Sequence, residues 1–123
     1  MNTCITIYFQ AWETQNSTLC SKIFSHDAKY IVKPVEEEYY GLDKIIEYWN
    51  TNPVLQTNPV QRIIECFSNE DKSKWFCEFE NKFNVDGNKQ FKITKGMILF
   101  IIDPVTNKIK ELREFYRSRI VSS

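Results

Sequence analysis

Between Phe91 and Arg119 two long strand-like segments flank the polar turn Asp103-Pro104-Val105-Thr106-Asn107-Lys108, and this hairpin constrains the fold more than any other stretch. Met97 to Ile102 is apolar at every position. Such a strand needs cover on both faces, which places it inside a sheet rather than at its edge. Its partner alternates, with Ile109, Glu111, Arg113, Phe115 and Arg117 on one face and Lys110, Leu112, Glu114, Tyr116 and Ser118 on the other. A carboxylate therefore shares a face with an aromatic ring, as in the wall of a pocket.

The remaining elements follow from periodicity. Ile5, Tyr8, Phe9 and Trp12 fall at helical spacing and predict a first helix ending near Asn16. Ser17 or Thr18 is placed to cap a second, shorter helix whose Leu19, Ile23 and Phe24 face inward, with His26-Asp27 as its stop. Tyr30 to Val35 reads as a strand, followed by the acidic run Glu36-Glu37-Glu38 as a solvated loop. Gly41 opens a third helix carrying Leu42, Ile45, Ile46 and Trp49, and Asn50 to Pro59 is a loop. Val60 to Ser68 and Lys74 to Val85 are strands, with turns at Asn69 to Lys72 and at Asp86-Gly87-Asn88. Helix, helix, strand, helix and four antiparallel strands make an α+β plan, with helices gathered on one side of a curved sheet in one domain, 1–123.

Composition excludes several classes. Sixteen Lys and Arg balance sixteen Asp and Glu, so the net field attracts neither nucleic acid nor an anionic membrane. No apolar run approaches the ~20 residues of a membrane span, and the N-terminus lacks the pattern of a secretory signal. The expectation is a cytoplasmic protein with no nucleic-acid or membrane partner. Cys4, Cys20, Cys66 and Cys77 have no C-x-x-C spacing, and His26 completes no zinc set with them. Reduced, structural thiols and no metal are expected.

Five motifs in order carry a resemblance: Tyr8-Phe9-x-x-Trp12; Phe24-x-x-Asp27-Ala28-x-Tyr30; Gly41-x-x-x-Ile45-x-x-Tyr48-Trp49; Gly96; and Leu112-Arg113-Glu114-Phe115-Tyr116. Together they resemble the SnoaL-like branch of the nuclear transport factor 2-like superfamily over nearly the whole chain. The resemblance implies a cystatin-like cone, a bent, mostly antiparallel sheet wrapped over three N-terminal helices around an apolar cavity. It also implies frequent homodimerisation through the outer sheet face, where Ile109, Phe115 and some of Met97, Leu99 and Ile101 would point. It does not imply one reaction, so function rests on the site.

Against the ketosteroid isomerases, Tyr8 matches the oxyanion tyrosine. The second donor falls at or beside Ile98 and the base at Val32 or Lys33. Without base and second donor that mechanism fails. Against the limonene epoxide hydrolases, Glu114 followed by Phe115 and Tyr116 occupies the catalytic acid position. No arginine lies between Lys74 and Val85, although Glu78 or Glu80 supplies a second carboxylate. SnoaL-type cyclases, which use a single acid-base carboxylate without a cofactor, ask least of this chain. The resemblance thus implies a small apolar or aromatic ligand and cofactor-free acid-base chemistry of cyclase, isomerase or dehydratase type. Glu114 and Tyr8 are the candidate catalytic residues, with Trp12, Tyr30, Trp49, Glu78, Ile98, Phe100 and Tyr116 around the ligand. The alternatives are a non-catalytic carrier or sensor and a dimeric interaction module.

Overall fold

The computed structural model describes residues 2–14, 16–51, 57–85 and 89–122. Its elements are α1 (Thr3–Thr14), a 3-10 turn (Ser17–Leu19) running into α2 (Cys20–Ile23), β1 (Phe24–Val32), β2 (Glu37–Tyr40), α3 (Leu42–Thr51), β3 (Thr57–Ser68), β4 (Lys74–Val85), β5 (Gln90–Ile102) and β6 (Ile109–Ser122). They form a six-stranded sheet in the order β2-β1-β6-β5-β4-β3. Among the described residues only β1 against β6 is parallel; the four sequential strands β3 to β6 pair antiparallel, as expected. The expected turn at Asp86-Gly87-Asn88 and the middle of the loop before β3 lie outside the described residues.

Local chemistry sets the helix ends. The Asn2 side chain accepts the Cys4 N–H at 2.7 Å and caps α1. The stripe Ile5, Tyr8, Phe9 and Trp12 is buried against the sheet. Asn16, rather than Ser17 or Thr18, caps the next turn by accepting the Thr18 N–H at 3.1 Å. That helix is shorter than expected. Phe24 is already extended and pairs with Ile109, so His26 and Asp27 lie within β1 instead of stopping a helix. Pairing with β6 outweighs the helical spacing of Leu19, Ile23 and Phe24, because strand preference is decided by neighbours more than by local pattern. The acidic run also differs from expectation. Glu37 and Glu38 open the edge strand β2, whose backbone pairs with β1 while both carboxylates stay in water.

The central hairpin forms with a change of parity. Asp103 accepts the Val105 N–H with its side chain and the Asn107 N–H with its carbonyl, each at 2.8 Å, which closes the polar turn. A bulge then sets Ile102 opposite Ile109 while Ile101 sits opposite Glu111. Ile109, expected on the outer face, is therefore fully buried in the core. Simple alternation cannot see that inserted residue. The outer face keeps Phe67, Phe76, Met97, Leu99 and Phe115, opposite the helix-covered inner face.

The cysteines also depart from expectation. Cys66 and Cys77 are directly opposed on β3 and β4 with Cα atoms 4.2 Å apart, and they form a disulfide; Cys4 and Cys20 are free and buried. Pairing depends on strand register, which spacing alone does not reveal. A disulfide suits an oxidising compartment, so the cysteines lend no support to a cytoplasmic location.

Gly96 governs the approach of β5 to β6. A Cβ there would stand 2.0 Å from the Phe115 carbonyl oxygen and 2.7 Å from the Tyr116 Cα. Both obstacles are backbone, so any side chain forces the strands apart. Gly96→Ala is expected to lower unfolding stability by ~3 kcal/mol, at the upper end of overpacking costs, as read by urea denaturation. An unchanged midpoint would show that the close approach is not needed.

Candidate functional site

The curled sheet and the helices leave a cavity of about 340 Å³. That lies at the lower end of small-ligand sites. Tyr8, Phe9 and Trp12 of α1 and Tyr48 of α3 form one side. The other side is the inner face of β3 to β6, where register stacks side chains in rows. Trp75, Phe100 and Leu112 make the first row, and Cys77, Ile98 and Glu114 the second. Phe79, Gly96 and Tyr116 follow, then Gln61, Asn81, Thr94 and Ser118, then Phe83, Lys92 and Ile120. Phe100 and Leu112 of the first row are core, Trp75 is partly buried, and the cavity begins at the second row.

Glu114 is the chemically distinctive member. It is 7% exposed and, among the described residues, is the one carboxylate on the cavity wall. Its carboxyl enters none of the ion pairs and side-chain hydrogen bonds formed by the described residues, although its backbone carbonyl accepts the Lys33 N–H at 2.9 Å. Burial pushes its carboxyl up to about 8, and the nearby charge of Glu37 adds to the effect. At neutral pH this group holds its proton. It is then a donor in an apolar pocket, as general acid catalysis requires.

Tyrosines surround it. Burial, reinforced by the charge of Glu114, raises Tyr8 well above the usual phenol value, and the same two causes push Tyr116 up to about 12. The hydroxyls of Tyr8 and Tyr30 lie 3.1 Å apart and share a hydrogen bond. Tyr8 in turn packs edge-on against Trp49 and Phe100, with ring centroids at 5.6 and 5.2 Å. Lys33 places its ammonium 4.8 Å from the Tyr116 ring centre.

Of the residues expected around a ligand, Tyr8, Trp12, Ile98, Glu114 and Tyr116 line the cavity. Tyr30, Trp49 and Phe100 are fully buried behind that wall. Glu78 is on the outer face opposite Met97, because its neighbours Cys77 and Phe79 take the inner one. It cannot serve as a second carboxylate in the cavity. The polar row of Gln61, Asn81, Thr94 and Ser118 was not anticipated. Its signal is a polar residue breaking an apolar parity, as Asn81 does between Phe79 and Phe83.

No family model and no curated protein matches the sequence. Solved structures do resemble it. The epoxide hydrolase/cyclase-like enzyme SalBIII, of pyran ring formation in polyether salinomycin, superposes with a TM-score of 0.79 at 16% identity, covering 93% of this chain and 88% of that one. RV0760c from Mycobacterium tuberculosis in complex with estradiol-17beta-hemisuccinate gives 0.78 at 10% identity, with 94% and 95% covered. A protein from Jannaschia sp. CCS1 described as a SnoaL-like polyketide cyclase gives 0.77 at 10%, with 92% and 82% covered. These likenesses show the fold, which is the nuclear transport factor 2-like cone of SnoaL-like and ketosteroid isomerase-like proteins.

The raised carboxyl makes stability depend on pH with a definite sign. Between the ordinary value of 4.5 and about 8 the folded protein keeps a proton that the unfolded chain has lost. Stability contributed by the protonated form is whole below 4.5 and is lost as pH rises through 8. Glu114→Gln is neutral throughout and escapes that loss. Relative to the parent it should gain on the order of 4 kcal/mol between pH 4 and pH 9, measured by denaturant unfolding. A difference independent of pH would show that the carboxyl is not desolvated.

Proposed function

We propose that the cavity binds a small, largely apolar or aromatic molecule and that Glu114 performs acid-base chemistry on it without a cofactor. The observation that carries this reading is a carboxyl buried in a ligand-sized cavity with no cation beside it. A structural carboxylate is normally paired, since an unpaired buried charge costs several kcal/mol. Glu114 escapes that cost by holding a proton, which it can deliver to a carbonyl, hydroxyl or ether oxygen of a ligand and recover afterwards. Protonating such an oxygen is a step shared by cyclisation, isomerisation and dehydration. Tyr8 and Tyr116 orient the ligand by hydrogen bonds from their hydroxyls, and Trp12 and Ile98 supply apolar walls. The likeness to SalBIII and to a steroid-hemisuccinate complex supports a ring-containing, mainly apolar ligand.

A non-catalytic carrier is the second reading, and one observation favours it. The Tyr8 hydroxyl is already engaged by Tyr30 and almost wholly enclosed, so a second catalytic donor is not freely offered. The outer face supports a further part of the proposal, a two-fold dimer. Phe67 and Phe115 are 53% and 45% exposed, and Phe76 and Met97 extend the same surface. Contiguous aromatic surface of this kind is normally covered by a partner. Arg113 and Arg117 provide polar contacts at its rim.

Native mass spectrometry of the purified protein is expected to reveal a retained small molecule. Incubated with that molecule, the parent yields a product of altered structure. Glu114→Gln keeps affinity within a few-fold and loses turnover by roughly 100- to 10,000-fold. Recovery of the molecule unchanged from the parent favours the carrier, and full turnover by Glu114→Gln removes the role of Glu114. Sedimentation at micromolar concentration should give a dimer, and a monomer would overturn the use of the outer face.

A further inference from the structure

The polar row has no place in the acid-base reading. Gln61, Asn81, Thr94 and Ser118 stand side by side on four consecutive strands, all on the inner face and all lining the cavity. Thr94 and Ser118 share a hydrogen bond of 2.7 Å between their hydroxyls. The Gln61 carbonyl oxygen is enclosed and has no hydrogen-bond partner among the described residues. An enclosed acceptor left unmade costs about 1 to 3 kcal/mol, and since Gln61 itself lines the cavity, turning its amide toward a ligand donor would relieve that cost.

The row also stands at a defined distance from Glu114. Glu114 and Ser118 are four positions apart on β6, which at the rise of a strand is roughly 13 Å. Between the two lie Phe79, Tyr116 and the bare backbone of Gly96, an aromatic stretch with one gap in it. The inner wall thus reads polar, apolar, polar along its length.

We propose that Gln61, Asn81, Thr94 and Ser118 form a second polar subsite, and that the ligand is elongated, with an apolar ring system between two hydroxyl or carbonyl groups. One group lies at Glu114 and the other at the row. This rests on the reading of the cavity as a ligand site and deepens it. The row selects ligands by length, because a molecule with one polar end leaves the Gln61 acceptor unmet. Lys92, Phe83 and Ile120 lie beyond the row and border its outer side.

The test uses two rigid probes, biphenyl-4-ol and biphenyl-4,4'-diol, with binding followed by calorimetry on the full chain. Biphenyl-4-ol should bind the parent and be excluded by Ile98→Trp, which fills the cavity; failure of that pair of results overturns the cavity reading and the subsite with it. The diol should bind the parent roughly five- to tenfold more tightly than biphenyl-4-ol, as one added hydrogen bond would give. In the double variant Gln61→Leu/Thr94→Val that preference should fall to within about twofold. Equal binding of both probes by the parent, or a preference that survives in the double variant, would overturn the subsite and leave the cavity reading standing. Circular dichroism of each variant confirms that the fold is kept before affinities are compared.

Discussion

The contact on which the rest of this structure depends is the approach of β5 to β6 at Gly96, where the Phe115 carbonyl takes the space of a side chain. With no Cβ at that point the two longest strands approach closely in the middle of the sheet. The same absence leaves the middle of the inner wall open. Glu114 and Ser118 lie two residues to either side of Tyr116, the partner of Gly96, so all three share the inner face. Parallel pairing of β1 with β6 then sets Val32 beside Glu114 and completes the enclosure of the carboxyl.

Enclosure decides the chemistry. Glu78 and Glu80 stand instead on the outer face, away from the cavity. Glu80 faces Lys95 at 3.6 Å across the neighbouring strand, in the shallow kind of pair that surface carboxylates commonly make. Glu114 has no such partner, and a desolvated carboxyl without a cation stays neutral. Tyr8, Tyr30 and Tyr48 all respond to its charge, so ionising Glu114 also disfavours ionising the phenols around it. The pocket as a whole favours neutral donors.

Much of this was legible in the residues. The unbroken apolar run Met97 to Ile102 located the central strand, and alternation along β6 put Leu112, Glu114 and Tyr116 on one face. Helical spacing located α1 and α3. What failed did so where a pairing partner or an inserted residue decided the outcome. Phe24 joined β1 because Ile109 was there to pair with it, and Ile109 turned inward because a bulge shifted its parity. Cys66 and Cys77 became a pair only through the register of β3 and β4. The polar row was overlooked for a similar reason. Gln61, Asn81, Thr94 and Ser118 are unremarkable one at a time, and their meaning appears when four strands align them.

Glu114 is a neutral acid at physiological pH because the fold buries its carboxyl in the cavity wall and sets no cation beside it. Site-specific carbon labelling of its carboxyl, followed by nuclear magnetic resonance across pH 3 to 10, tests this without knowledge of any ligand. Fitting the chemical shift should give a midpoint near 8. A midpoint at the ordinary value of 4.5 would mean a solvated or paired carboxylate, and the acid-base reading would fall.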